Sequence, residues 1–477
     1  CDWSSDVCSS DLGFTSMELN AREVPARIIL LEDATALSEI VVTGYTTQRK
    51  ADLTGAVSVV KMEDIENMNT GNAMKSLQGR VPGVFIQTSG APDGGASVRI
   101  RGIGTLGNND PLYIIDGVPS KRSLNELSAS DIESIQVLKD ASSASIYGSR
   151  AANGVIIVTT KKGNRNETKV DFRASLTAQN YYKSLNLLNA QERGIVQWRA
   201  AMNDGVNPNF GVYNFDWHGD TNTGYILDKV ITPEYLDQQK TMRPGNTDWM
   251  EEVGRTGWTQ NYSLTLSSGT DKGRALFSVD YFDNTGTVKG TSYNRITARI
   301  NSDYTFLNDR LKIGENLAVS KMKRSMIDSW GILNMTHEIQ PIIPVHTIDG
   351  GWGGPVSGMS DRQNPVRIIE DNKQNHNDLI RLFGNVNLDL KILENLNFRS
   401  TFGIDYTGFW QRNMQLKYVS GFMSENTNRV DVSANYAGNW ILSNTLNYNL
   451  EKGSNIFDVM LGQEMIKYNF QSVDAGR

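Results

Sequence analysis

Residues Val170 to Ala178 read VDFRASLTA. In an extended chain Val170, Phe172, Ala174, Leu176 and Ala178 fall on one face, and Asp171, Arg173, Ser175 and Thr177 on the other, because successive side chains of a strand alternate. The same period of two recurs downstream. Tyr262, Leu264 and Leu266 oppose Ser263 and Thr265, and Ile380, Leu382, Val386, Leu388 and Leu390 oppose Arg381, Asn385, Asn387 and Asp389. Leu396, Phe398, Phe402, Ile404 and Tyr406 oppose Asn397, Arg399, Thr401, Asp405 and Thr407. Trp440, Leu442, Leu446, Tyr448 and Leu450 oppose Ser443, Thr445, Asn447 and Asn449. Runs of roughly ten or more residues exceed the usual soluble strand and approach the length that crosses a bilayer at a tilt. About ten such candidate strands follow Lys169.

The connections carry a second signal. Tight ones, SSGTDKG (Ser267 to Gly273), LNDR (Leu307 to Arg310), ILEN (Ile392 to Asn395) and LEKGSN (Leu450 to Asn455), alternate with longer irregular stretches. The longest, Ser325 to Asn375, contains GGWGGP and NPVR (Asn364 to Arg367). Short turns at one end and long loops at the other are the asymmetry of an outer-membrane β-barrel. Trp258, Tyr262, Tyr304, Phe409, Trp410 and Trp440 near strand ends suit an interfacial aromatic belt. A soluble β-sandwich or propeller also alternates, but it accounts for neither the strand length nor the missing repeat of about 40 to 50 residues.

Composition agrees with a mainly β chain. Its 477 residues include 43 Gly, 17 Tyr, 9 Trp and only 12 Pro, with a mean hydropathy of -0.39. No stretch approaches the roughly 18 consecutive apolar residues of a spanning helix. A barrel passes this test because its strands mix apolar and polar positions. Net charge is -6 with Lys and Arg dispersed, which argues against nucleic acid as a partner. His218, His337, His346 and His376 lack metal-ligand spacing, no G-x-S-x-G is present, and Asp216 and Asp220 show no acid/base pairing. The reading is a non-enzyme without cofactor or metal. Cys1 and Cys8 lie in CDWSSDVCSSDL, which resembles a translated sequencing adapter, so residues 1–12 are set aside.

Gly102 to Asp116, GIGTLGNNDPLYIID, contains G-x-G-x-x-G, but the dinucleotide motif needs a helix after the glycines to hold the pyrophosphate. Asn108, Asn109, Asp110 and Pro111 form a turn cluster instead, followed by the β-prone LYII. The glycines are expected in a strand-to-strand loop, with Gly104, Asn108, Asn109 and Asp110 as candidate ligand contacts and, more simply, turn formers.

Ahead of it, LSEIVVTGY (Leu37 to Tyr45) is a β-prone strip without an evident partner strand, followed by the polar TTQRKADLTG. It reads as available for pairing with another chain, or as a plain edge strand. In GNAMKSLQGRVPGVFIQ, Ala73, Met74 and Leu77 share a helix face before Gly79 and Pro82 end it. ASVRIRG, PLYIIDGVP, DIESIQVLKD and ASSASIYGSRAANGVIIVTTKKG complete a compact α/β unit.

SLQGRVPGV, SVRIRG, PLYIIDGVP and IYGSRAANGVIIVTTKKG resemble the plug domain of TonB-dependent outer-membrane transporters of the SusC/RagA branch. GNTDWMEEVGRTGWTQNYSLTLSSGTDKGRALFSVDYFDNTGTVKG (Gly245 to Gly290) and NPVR are similar to the barrel of the same branch. The resemblance implies this organisation: residues 13–36 as the tail of a carboxypeptidase-regulatory-like β-domain, 37–49 as TonB-box-like strip and linker, 50–163 as plug, and 168–477 as the first part of a transmembrane β-barrel. The implied fold is mainly β, a small α/β plug followed by an incomplete antiparallel barrel whose parent has about 22 strands. Open barrel edges cannot face lipid, so the chain is expected to act as part of a longer protein.

By the same resemblance Glu39, Ile40, Val41, Val42, Thr43, Gly44 and Tyr45 take the place of the TonB box, grasped by a periplasmic energy transducer through strand addition. The implied function is TonB-dependent import of an oligosaccharide or peptide across the outer membrane, with a SusD-like surface lipoprotein as partner and outer-membrane lipid around the barrel. The rival reading is a soluble secreted glycan-binding or adhesion β-protein. VYNFDW (Val212 to Trp217) and GGWGG (Gly350 to Gly354) are candidates for stacking on sugar rings, for the membrane interface, or for packing on the partner. IYGSRAANG (Ile146 to Gly154) reads as plug framework.

Overall fold

The computed structural model describes the backbone of residues 6–9, 17–20, 40–43, 46–49 and 57–477, apart from 63–71, 121–123, 125–126, 141–143, 182–184, 210 and 453–454. Side chains are described within 57–477, with 145–146 and 451–456 further excepted. Two ribbons lead the chain. Strand β1 (Asp6–Ser9), inside the stretch set aside as adapter-like, pairs antiparallel with β2 (Met17–Asn20). Strand β3 (Ile40–Thr43) pairs with β4 (Thr46–Arg49). The IVVT strip therefore has a partner that the sequence did not reveal: the linker folds back on it, helped by the β-branched Thr46 and Thr47.

A small α/β unit follows. It comprises β5 (Val57–Lys61), helix α1 (Ala73–Ser76), β6 (Val84–Thr88), β7 (Ala96–Ile100), β8 (Leu112–Ile115), β9 (Val118–Ser120), β10 (Ile132–Leu138) and β11 (Val155–Thr160). Five of these strands form one sheet in the order β5-β10-β11-β8-β9, parallel only between β11 and β8, while β6 and β7 make a separate hairpin. LYII and VIIV are apolar at every position because both faces of the sheet are covered. Tyr113, Ile115, Ile156 and Val158 pack with Met74, Leu77 and Val98 on one side, and Leu112, Ile114, Val155 and Ile157 with Tyr147 and Ala151 on the other. As expected, Ala73, Met74 and Leu77 are buried. Asn72 caps α1 by accepting from Met74 N at 2.8 Å, and Gly79 leaves the helix at φ +75°. Asp116 and Gly117, both at positive φ, make the tight turn between β8 and β9.

The rest of the chain builds a wall around this unit. Strand β12 (Thr168–Gln179) leads to helix α2 (Ala190–Asn203), hairpin β13 (Asn214–Asp220) and β14 (Gly224–Ile231), and helix α3 (Trp249–Val253). Strands β15 (Gly257–Thr270), β16 (Gly273–Thr285), β17 (Ser292–Phe306) and β18 (Leu311–Ser325) then run back and forth. Helices α4 (Ser329–Glu338) and α5 (Pro365–Asn372) precede β19 (His376–Leu393) and β20 (Leu396–Gln415). The hairpin β21 (Tyr418–Ser420) and β22 (Met423–Glu425) precedes β23 (Arg429–Lys452) and β24 (Asn455–Gly476). Nine strands, β12, β15 to β20, β23 and β24, form one antiparallel sheet, against the about ten expected, and the hairpins β13–β14 and β21–β22 stand apart from it. The connections at 271–272, 307–310 and 394–395 are short, whereas 180–256, 326–375 and 416–428 leave from the opposite end.

Register converts the alternation into two surfaces. One cross-strand row runs Phe172, Leu264, Val279, Ala298, Val319, Leu382, Tyr406. Its neighbour runs Ser263, Asp280, Thr297, Ser320, Arg381, Thr407. All six residues of the polar row are buried against the α/β unit, while Phe172, at 66% exposure, and its row face outward with no second sheet over them. A sandwich would bury that apolar face, so the arrangement is a barrel wall. Trp258, Tyr304 and Trp410 lie toward strand ends, but Trp440 sits mid-strand opposite Ile404.

Candidate functional site

The α/β unit is seated on the polar face of the wall through side chains from both parts. Asp131, between β9 and β10, accepts from Ser278 Oγ at 2.7 Å and from Arg299 Nε at 3.2 Å. Arg299 Nη1 also lies 4.0 Å from Asp116 Oδ2, and Asp116 is held by Thr160 N at 2.9 Å and Thr160 Oγ1 at 2.7 Å. On the neighbouring strands Arg381 donates twice to Asp405, each at 2.8 Å. Ser120 at the end of β9 completes that cluster, donating to Asp405 Oδ2 at 2.8 Å and accepting from Arg381 Nη2 at 2.9 Å.

Amides extend the seat. Asn301 donates to Thr160 Oγ1 and Lys161 O, Asn385 to Asp116 O, and Asn284 to Pro92 O, all between 2.7 and 2.9 Å. Toward the long-loop end Arg324 meets Asp93 at 2.6 Å, and Arg150 reaches Glu464 at 2.8 Å. One apolar contact locks the middle: Val118 fits against Gly403, where an added Cβ would lie 2.7 Å from Val118 Cγ2, and Phe383 and Ile441 of the wall join the core of the unit. The sequence marked Arg381 and Asp405 only as polar-face residues and did not single out Ser120, Asp131 or Arg299. Charges set among small polar residues on a strand's polar face were the available signal.

The expected ligand-contact loop is built differently from its expectation. Asn109 is buried, and its side chain is spent on the loop itself: its Oδ1 accepts from Gly104 N and Thr105 N, and its Nδ2 donates to Thr105 O and Gly107 O, at 2.7 to 3.0 Å. Asn108 Oδ1 accepts from Asp110 N at 2.8 Å, and Asp110 pairs with Arg99. Asn153 Nδ2 ties the loop to the IYGSRAANG segment through Asn108 O at 2.9 Å. The side chains presented outward are Ile103 and Leu106, the latter fully exposed. No helix follows the glycines, as the turn cluster required. In the strip, Ile40 to Thr43 form β3, while Glu39, Gly44 and Tyr45 lie outside the described residues.

At the long-loop end the connections pack into a second core. Trp198, Tyr213, Phe215, Leu236, Trp249 and Ile342 cluster there. Tyr213 donates to Ala190 O at 2.9 Å, and burial pushes its phenol up to about 12. Tyr213 and Phe215 are thus core residues, unable to stack on a sugar, whereas Trp217 is partly exposed beside Tyr225. NPVR starts α5: Asn364, fully buried, accepts from Val366 N and Arg367 N while donating to Val345 O and Gly353 O. Arg367 bonds Asp371 at 2.6 Å with its guanidinium over the Tyr418 ring, and Ser420 Oγ donates to Gly353 O. These residues brace the GGWGGP segment, whose Trp352 packs on His346. A cleft of about 400 Å³ remains between Leu187 to Asn189, Asn246 to Trp249 and His337 to Pro341. Asp220 closes its own turn, and hydrogen bonds from Thr223 and Asn222 hold its carboxyl below the usual range.

An α/β unit seated by charge against an antiparallel strand wall has counterparts among known proteins. Residues 49–155 match the family described as TonB-dependent Receptor Plug Domain. TonB-dependent receptor SusC of Bacteroides thetaiotaomicron is 29% identical over 506 residues, covering 99% of this chain and 47% of that protein. This chain belongs to the SusC/RagA-type TonB-dependent receptors. TonB-dependent receptor P26 of Formosa agariphila is 30% identical over 94% of this chain and 43% of its own length. The receptor's fold matches the solved RagAB peptide importer in its open-open state, with a TM-score of 0.73, 24% identity, and coverage of 92% of this chain and 50% of that one. The unliganded ferric citrate transporter FecA shares the fold at a TM-score of 0.53 and 10% identity. The chain spans about half the length of the first of these relatives. It is an outer-membrane receptor chain, not an enzyme.

Proposed function

We propose that the protein containing this chain imports a large nutrient, an oligosaccharide or a peptide, across the outer membrane, and that the plug is displaced by a TonB-type energy transducer gripping Glu39 to Tyr45. The observation that carries the reading is the seat itself. A lumen wide enough for such a cargo leaks unless filled, and here the filling is held by hydrogen bonds and ion pairs that water can replace once the plug leaves. Buried pairs of this kind add little net stability, yet they are costly to break one partner at a time. They favour a plug that is either fully seated or fully released.

The path of a pulling load supports the same reading. From the strip, force reaches the plug first at β5, which among the described residues is an edge strand paired with β10 alone, over Val57 to Lys61. An edge strand can come away without disturbing β8 and β11 at the centre of the apolar core. A strand added along β3 or β4 would supply many backbone bonds that share the load. The name of the RagAB peptide importer supports a peptide cargo, and the exposed Trp217 and the braced Trp352 suit a sugar equally well; a SusD-like surface lipoprotein is the partner that the family resemblance implies.

The test is deletion of Glu39 to Tyr45 in the full-length protein. Energised uptake is expected to cease while binding of labelled oligosaccharide or peptide at the cell surface persists. Unchanged uptake overturns the role of the strip, and the cargo that binds decides between the two classes.

A further inference from the structure

Most cations of the wall face the lumen, as Arg299, Arg324 and Arg381 do. Among described side chains of the wall strands, the cations on the outward face are Lys321, Lys323, Arg412 and Lys467, and the first three lie at the same end of β18 and β20, on either side of β19. Lys321 lies in register between Ile296 and Ile380, which are 47% and 52% exposed on the lipid-facing surface. Met322 turns inward to pack with Phe282 and Tyr293, and Arg324 turns inward to Asp93, so Lys321 and Lys323 both point outward. Lys323 opposes Asp378, which opposes Trp410, and Ser325 opposes His376, which opposes Arg412. The group therefore occupies three adjoining strands, β18 to β20, at the end from which the long extracellular connections leave.

Its charge is unbalanced. The acid in the group, Asp378, is engaged by His376 Nε2 at 3.2 Å, and neither lysine has an ion pair among the described residues. Arg412 is held by one nitrogen, its Nη2 donating to Gln374 O at 3.1 Å, which orients the rest of the guanidinium. Along the same cross-strand row on β15 to β17 stand Gln260, Asp283 and Asn294, which carry no positive charge. Directly below the lysines the surface turns apolar, through Val319, Leu382 and Tyr406.

A cation on the lipid-facing side of a barrel is tolerated at the headgroup level and disfavoured within the hydrocarbon, so Lys321 marks the outer boundary of the membrane. A ligand fitting this surface has anionic oxygens above and acyl chains below. We propose that Lys321, Lys323 and Arg412 form a binding site for the phosphate groups of an outer-leaflet lipid, the diphosphorylated acylated disaccharide at the base of lipopolysaccharide. The lysines supply two point charges about 7 Å apart along one strand, matched to spread phosphate charge. Arg412 supplies a third cation, its Nη2 fixed by Gln374 O and its Nη1 left to meet one phosphate. Trp410, its ring 5.5 Å from that of His376, lies at the level where an amphipathic ring meets the lipid sugar.

The test uses the full-length protein in detergent, with lipid binding read by native mass spectrometry. The probes are diphosphorylated lipid A, the same lipid with both phosphates removed, and inorganic phosphate as competitor. Wild type is expected to bind the diphosphorylated lipid and to discriminate against the dephosphorylated one. The triple variant K321Q/K323Q/R412Q should lose about a hundredfold in affinity, roughly fivefold per cation. K467Q, outward but outside the group, should stay near wild type. A heat-modifiable gel shift verifies folding, and K321Q/K323Q serves where the triple variant fails to fold. Equal binding of the two lipids, a loss under about tenfold, an equal loss in K467Q, or displacement by inorganic phosphate would each overturn the proposal.

Discussion

Asp131 of the plug and Arg299 of wall strand β17 meet at 3.2 Å with both side chains 2% exposed. This pair joins two parts of the chain that share no strand pairing among the described residues, and it helps to seat the plug. Asp131→Asn leaves a buried guanidinium with only Asp116, 4.0 Å away, as a charged partner. Destabilisation of the seated plug by about 3 to 5 kcal/mol is expected, and the double variant D131N/R299Q should recover most of it. Thermal unfolding of the full-length protein checks this, and additive losses would show that the two residues act separately.

Gly403 should tolerate no side chain while Val118 is in place. Its Cβ would lie 2.7 Å from Val118 Cγ2 and 2.8 Å from Ile441 Cγ2. Gly403→Ala is expected to cost about 1 to 3 kcal/mol through overpacking. Val118→Ala in the same chain should relieve part of it and Ile441→Ala the remainder, and protease access to the plug reads the result.

Asn109 offers a graded test of the plug loop. Asn109→Ala removes all four of its bonds, and amide exchange at Gly104 and Thr105 should accelerate about tenfold, the equivalent of one net hydrogen bond. Asn109→Asp keeps those two acceptor contacts and loses the donors to Thr105 O and Gly107 O. It should therefore protect the Gly104 and Thr105 amides better than alanine. Equal exchange in both variants contradicts the loop-closing role.

Asn364 does two jobs that separate by substitution. Asn364→Asp retains the cap of α5 and loses the bonds to Val345 O and Gly353 O, whereas Asn364→Ala loses both. The alanine variant should cost a further 1 kcal/mol or so in α5. Exchange of α5 amides and fluorescence of Trp352 should respond independently.

Asp237 gives the outer loops a pH limit. Burial alone would raise its carboxyl, but hydrogen bonds from Thr241 Oγ1 and from the Met242 and Thr241 amides hold it below the usual range. A carboxyl lowered on folding stabilises above its unfolded value of about 4 and loses that contribution as pH falls through its folded value. Protection of the Thr241 and Met242 amides, with exchange referred to its intrinsic rate at each pH, should thus be flat above about pH 5 and fall below about pH 4. Asp237→Asn should flatten the profile.

Much of this was legible in order of residue spacing. The alternation at Phe172, Leu264, Leu382 and Tyr406 specified strands, and their length specified a membrane wall. The dense β-branched runs LYII and VIIV specified a sheet covered on both faces. Less legible were sites whose residues act on distant partners. Asn109 was visible as a turn former, but its four bonds required the loop to close. Tyr213 read as an exposed aromatic and became core only because α2 folds over it. The IVVT strip read as unpartnered because two threonines in the polar TTQR are too weak a signal to announce a strand.

Sequence by itself determined which residues face lipid and which face the lumen, since a strand's period of two follows from covalent geometry and needs no tertiary information. Tertiary structure alone decided which lumenal charge meets which plug residue. Arg381, Asp405 and Ser120 are up to 285 positions apart, and only the cross-strand register and the seating of β9 bring them within hydrogen-bond reach.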